Sequence, residues 1–240
     1  MIIKIGDLEV LFPYETCYPE QYAYMTKLVE TFELAANNKE TANITMIEMP
    51  TGTGKTACLL SAAMAWLASG QKIHEKVIFC SRTVTELNQV CEQLEKLFDV
   101  YQKNGIKNTE DFLAVILTSR KNLCLHSNII SDMKNSASID SKCYEECVNN
   151  NCKYFSGYKD IEDIAEQIEQ NNAKKQENPF EEFRGVLNID GLKRVGSGLN
   201  QRKKQYCPYF LAKKLIHKAQ FVVYSYKYLL DPKVAVNRFG

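Results

Sequence analysis

The chain has 240 residues, of which 45% are hydrophobic, 10% aromatic and 25% charged, with 11 glycines and 6 prolines. A chain of this length and composition can build a core of its own, which excludes collagen-like, fibrous and wholly disordered proteins. With 30 basic and 29 acidic residues the net charge is +1, so overall charge identifies no partner. No apolar run is long enough for a transmembrane helix, and the amino terminus lacks the features of a secretory signal. We therefore expect a soluble intracellular protein with no membrane partner.

The first 118 residues alternate between predicted strands and predicted helices. Residues 43–49 form an apolar run that predicts a short buried strand, and residues 76–80 and 113–117 predict two more strands. An apolar helix is expected over residues 55–69. Strands that alternate with helices are typical of an α/β fold, in which helices cover a parallel sheet.

A second helix is expected after the strand at 76–80. Thr83 and Glu86 have the spacing of a capping box, in which each side chain bonds to the backbone N–H of the other residue. The residues that follow place apolar side chains at steps of three and four, which is the spacing of one helix face. This predicted buried stripe consists of Val84, Leu87, Val90, Leu94, Leu97, Phe98 and Tyr101.

Residues 119–207 break the alternation of strands and helices. They contain little strand signal and many polar residues, so we expect a mainly helical or irregular insert. One amphipathic helix is predicted at about residues 160–170. Its inward-facing side chains would be Ile161, Ile164, Ala165 and Ile168.

The α/β pattern resumes after the insert. Pro208 suits the first position of a helix that is expected to extend to Ala219, and residues 221–224 predict a further strand. The predicted organisation is therefore one α/β lobe, formed by residues 1–118 and 208–240, with the insert between its two parts.

The sequence MPTGTGKT, from Met49 to Thr56, lies between a predicted strand and a predicted helix. Glycines in such a loop let backbone N–H groups approach phosphate oxygens, and the start of the next helix adds partial positive charge. Lys55 would reach the β- and γ-phosphates, and the Thr56 hydroxyl would bind Mg²⁺. Met49 replaces the usual first glycine, and an ordinary glycine turn is the alternative interpretation. We expect a loop that binds a nucleoside triphosphate.

Nine cysteines is a high and odd number for an intracellular chain, where disulfides are uncommon. No C-x-x-C pair occurs, so the spacing differs from that of most structural zinc sites. A fold could gather the widely spaced Cys124, Cys143, Cys152 and Cys207 around an iron–sulfur cluster or zinc, or bury them as free thiols, and spacing does not decide between these. Cys147 is either a spare thiol or a ligand that replaces a neighbour. The remaining cysteines are expected in the core, and these are Cys17, Cys58, Cys80 and Cys91.

Residues 191–230 contain nine basic residues and no acidic one. Such a segment is either a solvated surface or part of a groove for single-stranded nucleic acid, in which cations hold phosphates and aromatic rings stack on bases. Tyr209 is the ring that we expect to contact nucleic acid. Three further rings are interleaved with the basic residues, and these are Tyr206, Phe210 and Tyr224.

Six stretches, in order over most of the chain, carry recognisable motifs. They are FPYETCYPEQYAYM at 12–25, EMPTGTGKT at 48–56, FCSRTVTEL at 79–87, TSRKNLCLH at 118–126, YCPYFLAKK at 206–214 and FVVYSYKYLLDPKVA at 221–235. Together they resemble the iron–sulfur helicases of superfamily two, and RKNLC and CPYFLA favour the XPD type among these. The resemblance implies a RecA-like P-loop motor domain with a parallel sheet, which an iron–sulfur cluster insert interrupts.

The resemblance also implies roles for residues at matching positions. ATP and Mg²⁺ would bind at Tyr18, Gln21, Met49, Pro50, Thr51, Gly52, Thr53, Gly54, Lys55 and Thr56, with Lys55 and Thr56 taking part in catalysis. DNA contacts are expected at Ser81, Arg82, Thr83, Arg120 and Lys121. A 4Fe–4S cluster would be held by Cys124, Cys143, Cys152 and Cys207.

The implied activity is that of an ATP-dependent helicase that moves 5′ to 3′ on single-stranded or forked DNA. The resemblance further implies a nuclear TFIIH subunit that acts with other TFIIH proteins in nucleotide excision repair and transcription initiation. The sequence contains no D-E-x-[HD] motif, and in the family that motif holds Mg²⁺ and orients the attacking water. We therefore expect the 240-residue chain alone to bind ATP weakly at best and not to unwind DNA. The alternatives are a non-catalytic nucleic-acid-binding or scaffold module and an unrelated zinc-binding P-loop protein.

Overall fold

The structure is a computed structural model that describes residues 1–37, 44–69, 76–105, 112–131, 136–170, 183–198 and 204–231. The chain divides into two compact units. The first unit is Met1–Val77 with Glu92–Phe112, and the second is Ile78–Cys91 with Leu113–Gly240. Within the described ranges, none of the helices combines the length and the hydrophobicity needed to traverse a bilayer.

The first unit opens with a β-hairpin that the sequence did not predict. Strands β1 (Ile2–Ile5) and β2 (Leu8–Leu11) pair antiparallel, and Gly6, with φ +55°, allows the tight turn between them. Helices α1 (Pro19–Asn37) and α2 (Lys55–Ala68) follow. The hairpin and the two helices share a core formed by Ile3, Ile5, Val10, Phe12, Met25, Leu28, Val29, Cys58, Ala62 and Ala65.

The second unit contains most of the remaining elements. In chain order they are β3 (Val77–Ser81), α3 (Val84–Lys103), β4 (Leu113–Leu117), α4 (Arg120–Leu123), α5 (Ser127–Ile130), α6 (Ser136–Val148), α7 (Lys153–Gln170), β5 (Gly185–Leu187), α8 (Ile189–Gly196), α9 (Pro208–Lys218), β6 (Phe221–Ser225) and α10 (Lys227–Leu230). The first residue of β3 and the second half of α3 belong to the first unit.

Four strands form one sheet in the order β3-β6-β4-β5. Strand β4 pairs in parallel with β6 and with β5, so that Val115 lies opposite both Val222 and Leu187. All five residues of β4 and the first four of β6 are buried, as expected for parallel strands that are covered on both faces. The predicted α/β fold with a parallel sheet is therefore confirmed.

Most of the predicted elements match the structure within a residue or two. Strands β3, β4 and β6 and helices α2, α3 and α9 all coincide with predicted elements. The buried stripe of α3 is confirmed except at Val84, which is exposed because it lies in the first turn of the helix. Of the cysteines expected in the core, Cys58 and Cys91 are buried, whereas Cys17 and Cys80 are partly buried.

The strand predicted at residues 43–49 is wrong for the part that the structure describes. Residues 44–49 adopt no regular secondary structure, and Ile44 and Met46 are 88% and 93% exposed. Asn43 lies outside the described residues. An apolar run becomes a strand only when a neighbouring strand satisfies its backbone groups, and no strand pair described in the chain includes these residues.

The described part of 119–207 is mainly helical, as expected, and contains α4 to α8. Helix α7 includes the predicted helix at 160–170, but the side chains expected to face inward at Ile161, Ile164, Ala165 and Ile168 lie outside the described residues. The sequence missed β5, whose three residues pair with β4. The predicted boundaries after residues 118 and 207 stay predictions.

Candidate functional site

The loop before α2 has the backbone shape that its glycines predict. Gly52 and Gly54 have φ values of +80° and +81°, a region that residues with a Cβ rarely adopt. Gly54 is the N-cap residue of α2, so the free N–H groups of the first helical turn lie at the end of the loop. An added Cβ at Gly54 would lie 3.1 Å from Nε2 of Gln21, whereas one at Gly52 would meet nothing within 4 Å.

The side chain of Lys55 turns back onto this loop. Its Nζ donates hydrogen bonds to the carbonyl oxygens of Met49 at 2.9 Å and Pro50 at 2.7 Å. The Thr53 hydroxyl also donates to the Pro50 carbonyl oxygen, at 2.7 Å. The loop therefore holds an ammonium group next to the N-terminus of an apolar helix. An anion at this place would find both a full positive charge and free N–H donors.

Gln21 links the start of α1 to the loop. Its Nε2 donates to the Thr53 carbonyl oxygen at 3.0 Å, and its Oε1 accepts from the Tyr18 backbone N–H at 2.9 Å. Gln21 is only 6% exposed, whereas Tyr18 is 62% exposed. The amide keeps one further N–H and one further acceptor site beyond these two bonds. Sequence analysis assigned Gln21 to ATP binding and did not anticipate its contact with Thr53, which is 32 positions further along the chain.

Ser81 and Thr83, two of the residues expected to contact DNA, are bonded to Glu86. One carboxylate oxygen of Glu86 accepts from the Ser81 hydroxyl at 2.6 Å and from the Thr83 N–H at 3.1 Å. The Thr83 hydroxyl accepts from the Glu86 N–H at 3.2 Å, which confirms the predicted capping box. The bond from Ser81, followed by those from Thr83, lowers the pKa of Glu86. Arg82, between them, is exposed.

The four cysteines expected to hold a cluster come together in the second unit. Cys124 follows α4, Cys143 lies in α6, Cys152 precedes α7 and Cys207 is the N-cap residue of α9. The Cys124 thiol interacts electrostatically with those of Cys143 and Cys152, and the Cys207 thiol with those of Cys152 and Cys143. Residues that are separated by up to 83 positions in the sequence thus meet in one place.

Backbone N–H groups point at three of these sulfurs. The N–H of His126 donates to Sγ of Cys124 at 3.4 Å. Burial raises the pKa of Cys207 to about 12, while bonds from the N–H groups of Phe210 and Tyr209 lower it. At Cys152 burial likewise raises the pKa, and N–H groups at the start of α7 lower it. Such donors stabilise a thiolate, which is the form that binds a metal.

In the described ranges no three His, Cys, Asp or Glu side chains are arranged to hold one ion. A cluster of several irons separates its thiolate ligands further than one ion does. Two polar atoms of neighbouring residues, Nε of Arg120 and Nδ1 of His126, are buried and have no hydrogen-bond partner in the described part of the chain. A donor set of thiols alone, with N–H groups on the sulfurs, fits an iron–sulfur cluster.

Arg120 connects three helices around the cysteines. Its guanidinium carbon lies 4.2 Å from the centre of the Tyr209 ring, and its Nη1 donates to Oδ1 of Asp140 at 2.8 Å. Tyr209 is 4% exposed, so its ring is covered, whereas the neighbouring Lys121 is exposed. The structure therefore places Arg120 and Tyr209 against each other inside the unit.

Two of the other three rings of the basic segment are not on the surface. Tyr206 and Tyr224 are fully buried in the core, so the expectation that they are interleaved with cations on a binding surface is wrong. Phe210 is partly buried, and its ring is tilted by 49° against that of Phe155 at a centroid distance of 4.8 Å.

A parallel sheet in an α/β fold is typical of RecA-like P-loop proteins when it occurs with a glycine loop that leads into a lysine at the start of an apolar helix. The DEAD_2 family model matches residues 79–238, and the chain belongs to this family.

Three relatives carry the same printed description, "General transcription and DNA repair factor IIH helicase subunit XPD", with "/RAD3" added for Saccharomyces cerevisiae. The chain is 37% identical to that of Saccharomyces cerevisiae over 241 residues, covering 98% of this chain and 28% of the relative. The relative from Arabidopsis thaliana is 36% identical over 244 residues, which cover 98% of this chain and 29% of the relative. The one from Schizosaccharomyces pombe is 33% identical over 240 residues, which cover 98% of this chain and 28% of the relative. The chain thus spans less than a third of these relatives, and the predicted resemblance to XPD-type helicases is confirmed.

Proposed function

We propose that the chain is part of an ATP-dependent DNA helicase of the XPD type and that it binds ATP with Mg²⁺ at residues 49–56. The observation that carries the proposal is the ammonium group of Lys55 inside the loop, held by the carbonyl oxygens of Met49 and Pro50. Carbonyl groups hold a cation less strongly than phosphates do, so a triphosphate would draw Lys55 to its β- and γ-phosphates. The Thr56 hydroxyl would bind Mg²⁺.

The remaining nucleotide contacts come from the start of α1. Tyr18 is exposed and offers its ring to the base, while Gln21 offers the free N–H and acceptor of its amide. Because Gln21 also holds Thr53, the same side chain would connect the base to the phosphate loop.

DNA would bind along residues 81–83 in the second unit, with further contacts at Arg120 and Lys121. The ring of Tyr209, which was also expected to contact nucleic acid, is covered and does not take part. Arg82 is exposed at the end of β3 and carries the charge that attracts a phosphate. The Thr83 hydroxyl is bonded to Glu86, so it would exchange this partner for a phosphate oxygen when DNA binds. These contacts would hold the backbone of single-stranded or forked DNA without reading its sequence.

A 4Fe–4S cluster would be held by Cys124, Cys143, Cys152 and Cys207. When bound, it supplies a rigid cross-link between helices that are distant in sequence. Residues of the chain would stabilise the ligands: backbone N–H groups would bond to the thiolates, and the cation of Arg120 would offset their negative charge.

The wider role follows from the relatives. Their printed names describe a helicase subunit of a transcription and DNA repair factor. From these names we propose that the protein acts in transcription and DNA repair and assembles with TFIIH-like subunits. The motif resemblance adds the proposals that it acts in nucleotide excision repair and transcription initiation, moves 5′ to 3′ and works in the nucleus.

Titration with a fluorescent ATP analogue and Mg²⁺ tests the nucleotide site. We expect saturable binding by the chain and a loss of about tenfold or more in affinity for Lys55→Ala, because a charge-assisted bond contributes about 1.5–3 kcal/mol. Lys27→Ala is the matched control, since it removes an exposed lysine that pairs only with Glu30 in the described structure. Equal affinity of Lys55→Ala and the parent chain would show that this loop is not the site.

A further inference from the structure

We propose that Cys147 is a reserve ligand of the cysteine site, which can take the place of Cys143 in holding the iron–sulfur cluster. This inference rests on the proposed cluster at Cys124, Cys143, Cys152 and Cys207. It concerns a thiol for which sequence analysis left two interpretations open, a spare thiol or a ligand that replaces a neighbour.

The two thiols lie on one face of the same helix. Cys143 and Cys147 are four residues apart in α6, and residues at this spacing are neighbours on a helix surface. Their Sγ atoms are 4.0 Å apart. Both thiols line a cavity of about 500 Å³, whose other lining residues include Arg120, Phe155 and Phe210.

Cys147 also lies close to the other proposed ligands. Its thiol interacts electrostatically with Cys143, Cys152 and Cys207, which are three of the four. Cys143 interacts with Cys124 as well, and it is buried, whereas Cys147 is partly buried. Cys143 is therefore the primary ligand on α6, and Cys147 is the thiol that can reach the same iron when Cys143 is absent.

The packing of α6 leaves room for the exchange. The helix packs mainly against α4 and α5, which have four residues each. Cys143 is part of a small apolar cluster with Ile129 and Ile139, and Cys147 packs against the same cluster. A small rotation of α6 with a change of the Cys147 rotamer would bring the Cys147 sulfur toward the position of the Cys143 sulfur, because both cysteines already contact the same apolar cluster.

Cys124 provides the contrast. The thiols of Cys143 and Cys152 are among its largest electrostatic interactions, and both are proposed ligands themselves. Cys147 is not among them, so we expect it to replace Cys124 less well than Cys143.

The test is to purify the chain and its variants without oxygen and to measure iron and acid-labile sulfide per chain, with absorbance near roughly 400 nm. Cys147→Ser should keep the full iron content. Cys143→Ser should keep about half of it or more, while Cys143→Ser/Cys147→Ser and Cys124→Ser should lose nearly all of it. Alkylation followed by mass spectrometry gives a second readout: Cys147 should react in the parent chain and should be protected in Cys143→Ser.

The outcomes separate this inference from the proposed cluster. If the parent chain contains iron but Cys143→Ser has as little as the double variant, the reserve role is wrong and the cluster stands. Loss of iron in Cys147→Ser would also overturn it, because Cys147 would then be an obligatory ligand. A parent chain without iron would remove the cluster and this inference together. Circular dichroism checks folding, and Cys143→Ala serves as a second variant if the serine variant does not fold.

Discussion

The side-chain amide of Gln21 donates a 3.0 Å hydrogen bond to the carbonyl oxygen of Thr53, in the middle of the glycine loop. The same amide accepts a bond from the N–H of Tyr18. The residue proposed to contact the base is thus already attached to the loop proposed to contact the phosphates. Nucleotide binding would act on both ends of this link.

Replacing Gln21 by alanine should destabilise the first unit and weaken nucleotide binding. The N–H of Tyr18 and the carbonyl of Thr53, whose bonds to Gln21 are partly buried, would each lose a partner. A fully buried unsatisfied group costs about 1–3 kcal/mol, so the cost here should lie at or below the lower end of that range. We expect a lower midpoint of denaturant unfolding and a weaker affinity for the fluorescent ATP analogue. Gln102→Ala, which removes an exposed glutamine from α3, should change neither value. If Gln21→Ala behaved like that control, the link would have no energetic role.

Alanine substitution at the two loop glycines should give unequal losses of stability. Both residues have φ near +80°, so each substitution costs about 1–2 kcal/mol from backbone strain. Only at Gly54 would the new Cβ also press on Gln21, at 3.1 Å. The free energy of unfolding without nucleotide should therefore fall more for Gly54→Ala than for Gly52→Ala. Equal losses would show that Gln21 moves aside without cost.

Glu86 should contribute to stability at neutral pH and lose that contribution in acid. The pKa of Glu86 lies below its ordinary value of 4.5 because Ser81 and Thr83 donate hydrogen bonds to the ionised carboxylate. A group whose pKa is lowered by folding stabilises the protein above the unfolded pKa and ceases to do so as pH falls through the folded pKa. The stability difference between the parent chain and Glu86→Gln should therefore shrink as the pH falls below 4.5.

Urea unfolding at a series of pH values measures this difference. Glu15→Gln removes an exposed carboxylate and serves as the control for charge alone. A Glu86→Gln difference that stays constant from neutral pH to about pH 3 would contradict the role given to the ionised carboxylate.

Replacing Arg120 by lysine should loosen the packing around the cysteines. Lysine keeps the charge but cannot lie flat on Tyr209 while it bonds to Asp140. The loss of the ring contact and of part of an exposed ion pair should cost about 1–2 kcal/mol. Thermal unfolding and iron content of the anaerobic protein measure the effect. Lys121→Ala, at the exposed neighbouring position, should leave both unchanged, and a normal Arg120→Lys variant would show that the packing does not need the guanidinium.

The elements that sequence analysis predicted well depend on local patterns. The apolar runs of β4 and β6, the all-apolar helix α2 and the capping box of α3 each contain their own signal within about twenty residues. The glycine loop belongs with them, since the two positive φ angles are a property of the glycines themselves. For these parts, residue type and spacing were enough.

Residue type and spacing alone therefore predicted the α/β class, the shape of the glycine loop and the set of cysteines available as ligands. The tertiary structure decided which of these features have partners. Residues 44–49 have the composition of a strand but no paired neighbour, β5 is a strand only because β4 lies beside it, and Tyr206 is a core residue rather than a surface ring. The bond from Gln21 to Thr53 and the meeting of Cys143 with Cys147, Cys152 and Cys207 likewise depend on approach in space. Long-range hydrogen bonds and burial depend on which segments approach each other in space, so the residue pattern of one segment does not predict them.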